Sequence, residues 1–248
     1  MANETLFTNK AGQYAKGRPG YAPQALDFIV QNLAAPGAKV ADIGSGTGIF
    51  SQALLSRGFE VYGVEPNPAM RANAEEKFAA APLFHSVAAP AEQTTLPDHS
   101  MDLITAASAF HWFDTDRFLE ECRRILVPGG SVYILLNERE YDDFTKRQHA
   151  LCEIHCPGFL SLAHGLAKTT GKLDGFFTQG YETLRFSFPL TYTKENFIAR
   201  SLSSSYAPEP SSPAYALYTQ ALQKLLDETF AEDPITIANS TILFWGKV

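Results

Sequence analysis

From Asp42 to Gly48 the chain reads Asp-Ile-Gly-Ser-Gly-Thr-Gly, an acid placed just ahead of three alternating glycines. Glycine has no Cβ, so such a run lets the backbone turn tightly and approach a ligand closely. A helix beginning directly behind it would offer free N–H groups and a partial positive charge. Glu65 follows 21 residues after Gly44. At that separation a carboxylate ending the next strand can accept hydrogen bonds from both hydroxyls of a ribose. Two departures from a dinucleotide pattern narrow the ligand. Counting G-x-G-x-x-G from Gly44, the third glycine position holds Ile49, so close helix packing around a pyrophosphate is not prepared. Asp42 would repel a pyrophosphate, yet it suits a ligand carrying an ammonium group and a sulfonium cation. Together these residues favour S-adenosylmethionine over a nicotinamide or flavin dinucleotide.

The elements that must hold these residues can be traced by hydrophobic period. Leu26, Ile29, Val30 and Leu33 fall on one face at helical spacing and predict a helix over 23–34. Short apolar runs predict strands at 39–43, 60–64, 83–87, 101–106 and 131–136. Helices over 49–56 and 67–79 come between them. Asp114 is placed to cap a further helix that carries Phe118, Cys122, Ile125 and Leu126, and Pro128-Gly129-Gly130 marks a turn. This alternation predicts an α/β fold with a mainly parallel sheet covered on both faces. After Glu138 the rhythm changes. Residues 139–180 read as helical with breaks at Pro157-Gly158, Gly165 and Gly171. A strand at 183–190, helices at 194–202 and 213–230, and a terminal strand at 235–248 complete the chain. A long section of this kind after a nucleotide-binding core usually shapes a substrate pocket.

Composition excludes several partners. The chain has 248 residues, a net charge of −7 and no long run of Lys or Arg, which argues against nucleic acid, whose phosphates need neutralising. No apolar stretch approaches the roughly 20 residues needed to cross a bilayer, so no membrane partner is expected. The opening Met1-Ala-Asn-Glu-Thr lacks the basic-then-apolar pattern of a signal peptide. The 3 cysteines, an odd number, fit a reducing compartment. The expected location is the cytoplasm. Oligomeric state is not readable from the chain.

Longer stretches carry a resemblance. Val40-Ala-Asp-Ile-Gly-Ser-Gly-Thr-Gly48 resembles motif I of class I S-adenosylmethionine-dependent methyltransferases, and Val61-Tyr-Gly-Val-Glu-Pro-Asn-Pro-Ala-Met70 resembles their following acidic motif. Pro90-Ala-Glu92, Leu96-Pro97 and Ser100-Met-Asp102 are similar to the motif around strand four, and Leu126-Val-Pro-Gly-Gly130 to the turn before strand five. The motifs run in family order over about residues 38–138. Tyr14-Ala-Lys-Gly-Arg18-Pro19 and Ala109-Phe-His-Trp-Phe113 resemble the branch holding trans-aconitate and ubiquinone or menaquinone C-methyltransferases, which act mostly on small metabolites. The resemblance implies a Rossmann-like seven-stranded sheet with an antiparallel C-terminal strand and a helical cap inserted after strand five. The expected organisation is a cofactor-binding core with an N-terminal lid over 1–138, the cap over 139–181, and C-terminal strands with substrate-side helices over 182–248.

The resemblance also implies roles. Asp42 and the backbone of Gly44, Ser45 and Gly46 would hold the amino-acid end of S-adenosylmethionine, and Glu65 the ribose. Pro66 and Met70 would pack against adenine, Met being an adaptable, polarizable neighbour for a ring. Pro90 stands where the family often has an acid, so the adenine amine falls to Glu92 or the Ala91 N–H. Ala106 and Ala107 would leave space beside the methionine moiety. Tyr14 and Arg18 would close over the cofactor, with Arg18 available to pair a carboxylate. His111 could serve as a base or orient a small-molecule acceptor, and Trp112 could stack on that acceptor or face the cation. His149, Cys152, His155 and Cys156 share helical spacing, but no second cluster with zinc-like spacing accompanies them, so no metal is expected. The expected activity is methyl transfer by in-line displacement, leaving S-adenosylhomocysteine. The rivals are a non-catalytic cofactor-binding protein of the same fold and an NAD-dependent oxidoreductase.

Overall fold

A computed structural model describes residues 19–32, 37–161, 164–204 and 206–248. The chain enters through α1 (Pro23–Gln31), started by a proline in its first turn. It then alternates β1 (Lys39–Ile43), α2 (Ile49–Leu55), β2 (Glu60–Val64), α3 (Pro68–Lys77) and β3 (Phe84–Val87). After β4 (Met101–Ala107) come a single 3-10 turn at Phe110–Trp112, α4 (Thr115–Ile125) and β5 (Leu126–Arg139). Two helices follow, α5 (Asp143–His155) and α6 (His164–Phe176), then β6 (Tyr181–Ser187), β7 (Leu190–Tyr192), α7 (Lys194–Leu202), α8 (Pro213–Thr229), β8 (Ile235–Ile237) and β9 (Asn239–Gly246).

Seven strands form one sheet in the order β3-β2-β1-β4-β5-β9-β6, mostly parallel with one antiparallel strand. Val40, Ala41 and Ile43 of β1 are fully buried, as a strand covered on both faces requires. Strand order reverses between β1 and β4, which pair in parallel with Asp42 beside Thr105. In open α/β sheets the crevice outside the carboxyl ends of the strands at such a reversal is where ligands bind.

Three boundaries differ from the hydrophobic pattern, each for a local reason. The strand expected at 183–190 stops at Ser187 and resumes at Leu190, because Pro189 has no N–H to give a ladder. The expected terminal strand splits at Ala238. Ile235–Ile237 pairs antiparallel with β7, whereas β9 lies between β5 and β6 in the large sheet. β5 begins earlier than expected, since Leu126 pairs with Met101 before the register jumps to Leu103 beside Ser131. The Pro128-Gly129-Gly130 segment, with Gly129 at φ +85°, lies where that register shifts.

The chain divides into two compact units. One takes the chain up to Asn137 together with Gly165–Phe186 and Thr241–Val248; the other takes Glu138–His164 and Ser187–Ser240. In the first unit Phe176 of α6 is fully buried. It stacks on Phe118 of α4 at 5.4 Å and meets Phe110 edge-on at 5.0 Å. The 3-10 turn is thereby packed from below. In the second unit Phe144, Phe197, Leu225, Leu226, Ile235 and Ile237 form one cluster, and Cys152, Cys156, Tyr218 and Leu222 another. Among the described residues no helix is long and apolar enough to cross a membrane. Phe176→Ala is expected to cost about 3–5 kcal/mol of unfolding free energy through the cavity it leaves, read by urea titration; a loss below about 1 kcal/mol would show that this ring does not anchor the turn.

Candidate functional site

The glycine loop leaves β1 and is pinned at once to the end of β2. The Gly44 and Ser45 N–H groups both donate to the Val64 carbonyl, at 2.8 and 3.1 Å. Gly44 has φ +69°, and a Cβ there would lie 2.5 Å from that of Ala109. This glycine is required by the protein's own packing. Gly46 differs: with φ +58°, a Cβ on it would meet, among the described residues, only the Met70 methyl, at 3.7 Å. Its backbone therefore presents a bare, left-handed edge beside a thioether, the arrangement by which glycine admits a close ligand.

Glu65 organises that edge. One carboxylate oxygen accepts from the Gly46 N–H at 2.9 Å and the other from the Asn67 N–H at 2.8 Å. The Asn67 side chain in turn caps α3 by accepting from Ala69 and Met70, which sets Met70 against the loop. Burial pushes the Glu65 carboxyl above its ordinary range, while the Asn67 and Gly46 N–H groups and the Arg71 guanidinium pull it back. Each oxygen keeps lone-pair capacity beyond its one backbone partner.

Asp42 sits deeper, at 1% exposure. Ser51 donates to one of its oxygens at 2.6 Å and Thr105 to the other at 2.9 Å. Burial pushes its pKa to about 6; the two hydroxyls lower it and the charge of Glu65 raises it further. Hydroxyls on α2 and β4 thus hold Asp42, one on each oxygen. Ser51 and Thr105 were missed because each is an ordinary polar residue until the strands pair. So was Thr47, whose hydroxyl is buried without a hydrogen-bond partner among the described residues.

Around the loop, Pro66 is half-buried and its carbonyl accepts from Arg71 at 3.4 Å. Ala91 is buried, and Glu92 accepts from the Asp114 N–H at 2.8 Å, which ties its segment to the start of α4. The buried Glu121 holds the same segment by accepting from the Thr94 N–H and hydroxyl at 2.7 and 2.5 Å. Ala107 ends β4 half-buried. The next residue, Ser108, was not anticipated. It has φ +56°, a conformation that costs a non-glycine residue on the order of 1–3 kcal/mol. It is held there by its N–H on the Leu135 carbonyl at 2.7 Å and by the Tyr21 hydroxyl donating to its Oγ at 2.9 Å. Only backbone dihedrals reveal such a residue.

His111 and Trp112 lie on the 3-10 turn with ring centroids 4.9 Å apart. Lys172 of α6 donates to the His111 and Phe113 carbonyls at 3.3 and 2.7 Å, and the Lys168 ammonium sits 5.6 Å over the Trp112 ring. A cation of the protein itself thus engages the ring that the sequence marked for an acceptor or a cofactor cation. Tyr14 and Arg18 lie outside the described residues. His149 faces Glu153 at 3.5 Å, whereas Cys152, Cys156 and His155 gather around Tyr218: Cys152 shares a hydrogen bond with its hydroxyl at 3.2 Å and the His155 ring lies 6.2 Å from its ring. Burial pushes the Cys156 thiol up to about 12. Among the described residues no three potential metal ligands converge.

Comparison with known proteins places this geometry. Residues 41–134 match the model of a methyltransferase domain. An uncharacterized methyltransferase of Mycobacterium bovis is 37% identical over 134 residues, covering 54% of this chain and 53% of its own. The chain thus spans about half the length of that relative. An uncharacterized methyltransferase of Geobacillus kaustophilus is 30% identical over 173 residues, covering 66% of this chain and 79% of its own. The chain belongs to the methyltransferase family. A solved chain from Anaeromyxobacter dehalogenans, provisionally described as a type II methyltransferase, superposes with a TM-score of 0.71 at 23% identity, over 93% of this chain and 97% of that one. The likeness establishes that this methyltransferase-family chain has the Rossmann-like fold.

Asp42 makes stability depend on pH. The folded chain holds its proton more tightly than the unfolded chain, whose carboxyl titrates near 3.8, so the contribution is full below that value and is lost as pH rises through about 6. The difference corresponds to about 3 kcal/mol. Urea unfolding without added ligand, from about pH 4 to about pH 7, should show Asp42→Asn losing less stability over this range than the parent, by an amount of that order. Equal slopes in the two proteins would assign the dependence to another group.

Proposed function

We propose that this chain is an S-adenosylmethionine-dependent methyltransferase that acts on a small-molecule acceptor in the cytoplasm. The observation that carries the reading is the Gly46–Glu65–Met70 edge: a left-handed glycine that among the described residues is open but for a thioether methyl at 3.7 Å, beside a carboxylate held by two backbone N–H groups. It offers a ribose two oxygens with spare lone pairs, and an adenine ring an apolar neighbour. Family membership supports the same reading, and three buried free thiols accord with a reducing compartment.

When bound, the cofactor supplies a methyl group already activated by a sulfonium. The protein's work is to bind, align and exclude water. In this proposal Glu65 holds the ribose, and the Gly44–Gly46 backbone holds the amino-acid end. Asp42, buried behind the loop, contributes negative potential toward an ammonium and a sulfonium. Pro66 and Met70 flank adenine, and the Ala91 N–H or Glu92 meets its amine. Ala107 leaves room beside the methionine chain, and Tyr14 and Arg18 close over it. His111 orients the acceptor, and its imidazole takes a proton only where the acceptor must lose one. Residues 139–181 and the helices beyond them supply acceptor specificity.

Calorimetry with S-adenosylhomocysteine and with NAD tests the cofactor. Binding of the first and not the second is expected; tight NAD binding with no response to S-adenosylhomocysteine would overturn the proposal. Glu65→Ala should weaken S-adenosylhomocysteine binding by about 1.5–3 kcal/mol, and an unchanged dissociation constant would mean that the ribose lies elsewhere. Incubation with methyl-labelled cofactor and a metabolite extract tests catalysis. Failure to label any small molecule despite cofactor binding would favour a binding protein of the same fold.

A further inference from the structure

The second unit contains a cation that its surroundings do not neutralise. Arg139 ends β5; its Nη1 donates to the Gln148 Oε1, and its guanidinium carbon lies 4.9 Å over the Phe197 ring. Among the described residues no carboxylate pairs with it. The groups that face it electrostatically are the phenols of Tyr206, Tyr192 and Tyr218 and the thiol of Cys152. A guanidinium has five N–H donors and stays charged in proteins, and among the described residues one of these donors has an acceptor. The side chain as a whole is half-buried, yet the charged end is withdrawn far enough that burial holds its pKa below the ordinary arginine value. An uncompensated charge in such a place is costly, and arginine cannot avoid the cost by losing its proton.

An independent feature points the same way. The Tyr192 hydroxyl is buried and has no hydrogen-bond partner among the described residues. Gln148 cannot serve it readily, since its amide nitrogen donates to Ser201 at 3.4 Å and its oxygen takes Arg139. Neighbouring groups that both have protons to give call for one partner that only accepts. A carboxylate fits: its two oxygens match the guanidinium fork and retain lone pairs for a phenol. The aromatic surroundings (Phe197, Tyr206, Tyr218) favour an organic acid over an inorganic oxyanion.

We propose that Arg139 and Tyr192 bind the carboxylate of a small organic acid within the second unit. The test compares thermal unfolding of the full chain, Arg139→Met and Tyr192→Phe, alone and with millimolar succinate, glutarate, their diamides or inorganic phosphate. Without additives, Tyr192→Phe should unfold at the parent's temperature or above, because it loses a buried hydroxyl without an acceptor among the described residues, and Arg139→Met close to it, because relief of an uncompensated charge offsets the lost bond to Gln148. The dicarboxylates should raise the parent's midpoint while the diamides do not, and their apparent affinity should fall about 10–100-fold in Arg139→Met, with a smaller fall in Tyr192→Phe. A drop of several degrees in Arg139→Met alone would make the guanidinium a structural brace and overturn the proposal. So would equal responses to acids and diamides, a response to phosphate matching that to the acids, or no response to any acid. S-adenosylhomocysteine calorimetry on the same proteins separates the two readings: retained binding without a response to acids defeats this inference alone, whereas a parent that does not bind it defeats the methyltransferase reading.

Discussion

Two hydrogen bonds to one carboxylate hold the first unit's crevice together. Glu65 ends its strand with a backbone N–H on each oxygen, one from the glycine loop and one from the start of the following helix. This joins the turn after β1 to the turn after β2, the pieces that must keep register if a ligand is to meet both. The Val64 carbonyl adds to the tie by accepting from Gly44 and Ser45. The carboxylate is 9% exposed, so these bonds act where water competes weakly. A ligand at this edge would find its acceptor already oriented, which lowers the ordering cost of binding.

Buried charge recurs as a design element, with opposite sign in each unit. In the first, Asp42 is shielded by two hydroxyls and Glu65 by two amides. Among the described residues no arginine or lysine bonds to either carboxylate, although the Arg71 guanidinium acts on Glu65 from its backbone side. In the second, Arg139 keeps its charge among phenols and a thiol. Burying a charge without a counter-ion lowers stability, and such sites are retained where the charge has work to do on something else.

Strain and packing position the rest. Ser108 occupies a backbone conformation unfavourable to a side chain, directly after β4, and is held by Leu135 and Tyr21. The adjoining 3-10 turn is packed by Phe176 and tied by Lys172. Both features lie beside the β1–β4 reversal, where the sheet topology places the crevice.

By itself, the sequence determined the cofactor-side elements: the strand at 39–43, the glycine turn, the acid at 65 and the Asp114 cap are local patterns, set by period, turn chemistry and capping within a few residues. Glu65 and Gly46 could be placed together because the chemistry that joins them has a regular spacing. What only the tertiary structure decided depends on partners far apart in the chain. Thr105 reaches Asp42 across 63 positions, the terminal segment divides between two sheets at Ala238, and α6 supplies the lysines that engage the turn bearing His111 and Trp112. Arg139 shows the limit most plainly. In sequence it is one arginine at the end of a strand, and its lack of a counter-ion among the described residues exists only once α5 and α7 have brought Gln148 and Phe197 to it. Burial and pairing are properties of neighbours in space, and a single chain read in order does not contain them.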